Sequence, residues 1–261
     1  MKDLVMKILP VVVGLALGFM LFEGQSLFSG LGAAGIWVLV GVLLGVFVAF
    51  VGFLCLQALP KAVDLKPAGI DPGDPKMADW ICRCRALGFR EAGPLYRVEI
   101  NPPALLQSLV HGTEPVYAAI FRTGTLPAVV GIDFVSILDG DRGGLTTNPD
   151  RRGGTLPGDV GSLRQLLPGA EVEALFQSHL QGVAYLASRG LPCRPVSAER
   201  FPADLRLGIE RQRRAYLANP VKNTLIAIFR AVTLQSPYVG PIQNQKEAER
   251  QIRALLSGVR P

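Results

Sequence analysis

Charge is what this sequence has least of: Asp, Glu, Lys and Arg make up 18% of its 261 residues, against about 25% in soluble domains. That scarcity argues against a wholly soluble chain. Four cysteines are too few for a disulfide-stapled scaffold. The 29 glycines and 20 prolines follow no three-residue period, which excludes a collagen-like fibre. No phosphate-cradling loop of the form Gly-x-x-x-x-Gly-Lys-Ser/Thr occurs, and no Gly-x-Gly-x-x-Gly follows a strand pattern, although Gly143-Gly144 and Gly153-Gly154 flank Arg151 and Arg152. Nucleotide binding is therefore unsupported. Internal repeats and low-complexity tracts are absent as well.

What is present in excess is apolar. Hydrophobic residues reach 49% and the mean hydropathy is +0.32. The surplus is concentrated at the start of the chain. Residues 31–59 carry no charged side chain, a run longer than the roughly 20 residues needed to cross a bilayer. A second run over residues 4–22 is interrupted only by Lys7, whose ammonium can snorkel to the interface. The alternative for this run is the core of a cleaved signal peptide, but no small-x-small cleavage site closely follows Phe22. The sequence thus predicts a two-helix transmembrane hairpin over residues 1–59. Lys2 and Lys7 flank one end, Lys61 and Lys66 the other, and the intervening loop has no Lys or Arg. The positive-inside rule then places both termini in the cytoplasm, in a plasma or bacterial inner membrane. Gly14 and Gly18 in the first run, and Gly41, Gly45 and Ala49 in the second, recur at one-turn spacing that lets helices approach closely, within the hairpin, between two copies or against another subunit.

The remaining residues hold 25 of the 27 basic and 19 of the 21 acidic side chains, so the net charge of +6 belongs to them. A Pro- and Gly-rich stretch over 60–75 reads as a spacer, and 76–261 is long enough for one cytosolic domain. Its pattern predicts an α+β fold. A short helix over 79–87 precedes a strand over 95–100, and residues 101–112 fit either a helix or irregular chain. Strands over 116–123 and 128–138, a turn at Asp139-Gly140-Asp141 and a return strand at 145–147 give a small antiparallel meander. Helices follow over about 171–189, 197–217, 220–234 and 244–256.

Few residues suggest chemistry. Cys82 and Cys84 point apart on a helix and have no second ligand pair nearby in sequence, so no metal or cofactor is expected. One buried and one exposed thiol is the ordinary outcome. Asp139 and Asp141 lack the glutamate a calcium loop requires and read as turn residues. His111, beside Gly112, reads as a histidine at the negative end of a helix. His179 lies on the apolar stripe of its predicted helix, where a core role is the ordinary one. As the alternative, His179 is the candidate general base, with Asp133 or Cys84 as its partner.

The other signal is the basic helix followed by an amphipathic one. Arg206, Arg211, Arg213, Arg214 and Lys222, with the face carrying Phe229, form a candidate membrane interface. Cations there gain about 1 kcal/mol each near anionic lipid. The competing expectation is that the Phe229 face packs on the sheet. No aromatic-interleaved basic motif supports a nucleic-acid partner. The expected function is interaction: a membrane-anchored sensory or adaptor domain whose partner is the lipid bilayer and its anionic headgroups. A tethered enzyme using His179 and a structural subunit of a membrane complex are the alternatives.

Overall fold

The computed structural model describes residues 33–57, 59, 63–68, 73–99, 103–124, 129–150, 156, 158, 161–233 and 236–257. It opens on helix α1 (Ala33–Gln57), whose window Val40–Gln57 has a mean hydropathy of 2.5. Among the described residues this is the one helix long and apolar enough to cross a membrane. The first predicted span, with Gly14 and Gly18, lies outside the described residues. So the coarse class holds, a mixed α and β fold behind an apolar helix, while the hairpin rests on the sequence.

Eight strands among the described residues form one sheet: β1 (Leu65–Pro67), β2 (Phe89–Glu91), β3 (Tyr96–Val98), β4 (Ala104–His111), β5 (Tyr117–Thr123), β6 (Val130–Ile137), β7 (Gly144–Asn148) and β8 (Ser162–Leu166). Their order is β1-β3-β4-β5-β6-β7-β8, with β2 paired to the other end of β4. The meander β5 to β7 is antiparallel as the β-branched runs predict, and β4 pairs antiparallel with β5. Three features differ from the sequence reading. Residues 104–111, whose pattern fits helix or irregular chain, are a buried central strand, because leucines and a valine meet core on both faces. Leu65–Pro67, inside the predicted spacer, pairs with β3 as an edge strand, where a proline is tolerated. Finally, β8 escapes prediction and lies parallel to β7, making the sheet larger than a small antiparallel one. Its Arg164 and Gln165 break the apolar pattern.

Helices cover both faces. α2 (Pro75–Ala86) starts earlier than predicted because the Asp74 carboxylate accepts the Lys76 and Met77 N–H groups at 3.0 and 3.2 Å, with Pro75 in the first turn. It packs with α3 (Val172–Ser188) on one face, over Leu109, Ile120, Ile132 and Phe134. The opposite face, with Val110, Tyr117 and Ala119, is covered by α4 (Phe201–Ala218). Fixing α4 there is an ionic clamp whose Arg194–Asp204 pair is buried. Arg194 bonds Asp141 at 2.8 Å and Asp204 at 2.5 Å, and the Tyr117 hydroxyl lies 2.9 Å from the same Asp204 carboxylate. α5 (Pro220–Thr233) leaves the sheet and packs along α1, and α6 (Lys246–Ser257) closes the chain beside α3 and β8.

The turn Asp139–Asp141 is a short 3-10 segment in which Gly140 has φ 70°. Just beyond it, a Cβ on Gly143 would stand 2.1 Å from the Gly161 carbonyl oxygen. Two backbones cross there at a distance only glycine permits.

Candidate functional site

His179 is the leading catalytic candidate of the sequence, and its surroundings define its role. The side chain is fully buried, with Nε2 2.8 Å from the Ser136 hydroxyl and Nδ1 2.9 Å from that of Thr147. Ser136 donates its one hydrogen to the Pro115 carbonyl at 2.7 Å, so it accepts from Nε2–H; Nδ1 is then a lone pair to which Thr147 donates, while Thr147 accepts from Gln165 Nε2 at 2.8 Å. The partners therefore select the tautomer with hydrogen on Nε2. Every polar atom of the ring is engaged. Burial holds the imidazole neutral, its pKa lowered to about 3. A base whose lone pair is already bonded and which nothing can approach has no substrate to act on.

Asp133 does not meet it. Ser136 faces α3 and His179, and side chains alternate along a strand, so Asp133 on the same strand projects to the opposite face. Cys84 lies in the α2–α3 core with Phe89 and Phe134, again away from Asp133, and burial pushes its thiol up to about 12. Cys82 is exposed, and no group of three His, Cys, Asp or Glu side chains suited to a metal exists among the described residues. His111 does sit at a helix C-terminus, that of α2: its Nε2 is 2.9 Å from the Leu87 carbonyl, although its own segment is strand.

On the Asp133 face the sheet and α4 flank a half-open cleft of about 930 Å³ that extends to the first turns of α2 and α3. Pairing registers put Val135 opposite Thr146 and Thr146 beside Arg164, so β6, β7 and β8 contribute a shared floor. Its roof is the stripe Phe201, Asp204, Leu205, Gly208, Ile209 and Gln212 of α4, spaced at three and four residues. At Gly208 that stripe has no side chain, and a Cβ there would meet nothing within 4 Å. The floor carries Asp133, with the Asn148 amide hydrogen-bonded to it. Burial raises this carboxyl to about 6, against the opposing effects of Asn148 and the Arg164 charge. Asp133 stands out in the sequence as one of few clustered carboxylates, but no local pattern signals the cavity, which depends on what α4 lays over the strand.

The basic residues read as a membrane interface divide into two groups. Arg206 donates to the Val63 carbonyl at 3.2 Å, Arg211 to those of Asp141 and Arg142 at 2.6 Å, and Arg213 to that of Leu59, just past the C-terminus of α1. These arginines tie α4 to the chain itself, and Arg213 also opposes the negative end of the α1 dipole. Arg214 and Lys222 are exposed.

Phe229 belongs to a surface the sequence only half describes. α5 buries Thr224, Ala227 and Ala231, and it packs against α1, where Phe47, Val51 and Cys55 form the facing stripe. Gly52 lets the helices close up: a Cβ there would stand 3.2 Å from Thr224 Oγ1. Val221, Leu225, Phe229 and Val232 remain exposed, Phe229 by 56%. They continue the exposed apolar surface of α1, which includes Val46, Phe50 and Phe53. The sheet does not cover this face. A Cβ on Gly41 or Gly45 would meet nothing within 4 Å among the described residues, and Ala49 is exposed, so this stripe faces away from α5. Comparison with protein families, curated proteins and solved structures finds no match to this chain.

Proposed function

We propose that this protein is a membrane-anchored interaction module of the sensory or adaptor kind, held on the inner leaflet by α1 and α5 together. The observation that carries this reading is the pairing of those helices. An amphipathic helix that turned its large side chains to the sheet would be part of the domain core. α5 instead buries its small residues against an apolar, span-length helix and leaves its large ones outside. Exposed apolar side chains in one contiguous patch favour a membrane or a partner. Here the patch runs on from a helix that itself needs lipid around it. Each large side chain moved from water into lipid contributes roughly 1.5–3 kcal/mol, scaled by its exposure. Arg214 and Lys222 supply cations for anionic headgroups.

In this arrangement α1 is the second span of a hairpin whose first span is residues 4–22, and both termini are cytoplasmic. Gly41, Gly45 and Ala49 are available to the first span or to a second copy.

The test is depth-dependent quenching on the full-length protein. Phe229→Cys, labelled with a fluorophore in vesicles of anionic lipid, is expected to be quenched by brominated acyl chains and shielded from aqueous iodide. A label on exposed Arg85 should show the reverse. Iodide quenching of the residue-229 label as strong as that of the residue-85 label would refute the docking.

A further inference from the structure

The cavity between the sheet and α4 has one feature that separates it from a packing defect. Nearly every charged group at its border is already engaged by the chain. Lys76 lies over the Trp80 ring at 4.7 Å, Glu171 bonds Arg83 at 2.7 Å, Asp204 bonds Arg194, and Arg211 donates to two carbonyls. Arg164 gives Nη1 to the Leu156 carbonyl at 2.8 Å and Nε to Ser162 at 3.3 Å. Asp150 also has a partner. Asp133 is the exception. Among the described residues its carboxylate is bonded by the Asn148 amide and feels the Arg164 charge without an ion pair to it, although a carboxylate offers about four acceptor sites.

From this we infer that the cavity is a binding site for a small organic amine, an ammonium group on an apolar body, with Asp133 receiving the ammonium. The volume of about 930 Å³ lies within the range of small-molecule sites, and its walls are more apolar than polar, as in such sites. Ala119 and Val135 on the floor and Leu205 and Ile209 on the roof would hold the apolar body. An ammonium brings three N–H donors to a carboxylate short of them, and a charge-assisted bond in a cleft is stronger than in open water. A carboxylic acid is disfavoured at the same place, because the cation that would receive it, Arg164, already spends donors on Leu156 and Ser162. The glycine at 208 is part of the site, since it leaves open the volume a side chain on the sheet-facing stripe would take. Nothing in this site depends on how the domain sits on the membrane.

Full-length protein in neutral-lipid nanodiscs is titrated calorimetrically with phenylpropylamine, phenylpropanoic acid and phenylpropanol, three ligands with one body and different heads, with empty discs subtracted. The amine is expected to bind at least tenfold more tightly than the other two. Asp133→Asn should weaken the amine at least tenfold. Gly208→Leu, which improves helix propensity and whose Cβ would meet nothing within 4 Å, should reduce amine binding while the thermal unfolding midpoint is kept. Tighter binding of the acid, equal binding of all three, no binding of any, or an amine affinity unchanged in both variants would each overturn the inference.

Discussion

Replacing His179 by phenylalanine tests the neutral-imidazole network by a change in pH dependence. In the folded protein the imidazole titrates at about 3, and in the unfolded chain near 6.5. The folded state therefore binds fewer protons across that window, and stability falls as pH drops from 6.5 toward 3. At about 1.36 kcal/mol per pH unit, the site alone removes about 3 kcal/mol between pH 7 and pH 4. His179→Phe keeps a ring of similar size but leaves the Thr147 hydroxyl without an acceptor and Ser136 without a donor. Its cost at pH 7 is roughly 2–4 kcal/mol. Because the variant has no imidazole to protonate, that deficit should shrink toward zero at pH 4. Urea unfolding of both full-length proteins in detergent micelles, followed by fluorescence at each pH, reads the difference directly. A deficit that stays constant from pH 7 to pH 4 would refute the network and reopen His179 as a titrating, accessible group.

Asp133 has the opposite sign. Its carboxyl is raised from 3.8 to about 6, so the folded state holds the proton longer, and stability is lost as pH rises through that range. Asp133→Asn should stabilise the ligand-free protein at pH 7, by up to about 3 kcal/mol, and have no stabilising effect below pH 4, as followed by the same unfolding series. Asp204→Asn strips the buried Arg194 of its closest carboxylate and should cost about 3–5 kcal/mol, more than Asp139→Asn in the exposed turn. Gly143→Ala forces a methyl into the Gly161 carbonyl. It should lower the thermal midpoint by several degrees, whereas Gly169→Ala, strained but unobstructed, should cost only about 1 kcal/mol by the same measurement.

Much of this molecule is legible in its residues because the signals are local. An uncharged run such as 31–59 has few alternatives to an apolar helix. The apolar, β-branched runs in 117–123 and 130–137, the Asp-Gly-Asp turn and the three- and four-residue spacing of 172–188 each fix their element through backbone geometry and nearest neighbours. The pairing of exposed Cys82 with buried Cys84 follows from the same helical spacing. Strands with mixed patterns, Ala104–His111 and Ser162–Leu166, are not legible in this way, since burial on both faces or on a polar floor erases the alternation that marks a strand.

Which residues meet was decided by the tertiary structure alone. His179 and Asp133 both lie in the middle part of the chain, yet a sheet separates them, because successive side chains on β6 take opposite faces. Phe229 sits on an apolar stripe that sequence could assign equally to the sheet or to lipid. The small residues Thr224 and Ala227 fit against α1, where Gly52 makes room, and so keep the Phe229 face off the sheet. The cavity depends on a glycine of one helix lying over an aspartate of a strand 75 positions earlier, a coincidence in space that periodicity does not encode. The sequence determined where the chain is apolar and which elements it forms; packing decided which face is core, which is exposed, and which side chains line the cavity over Asp133.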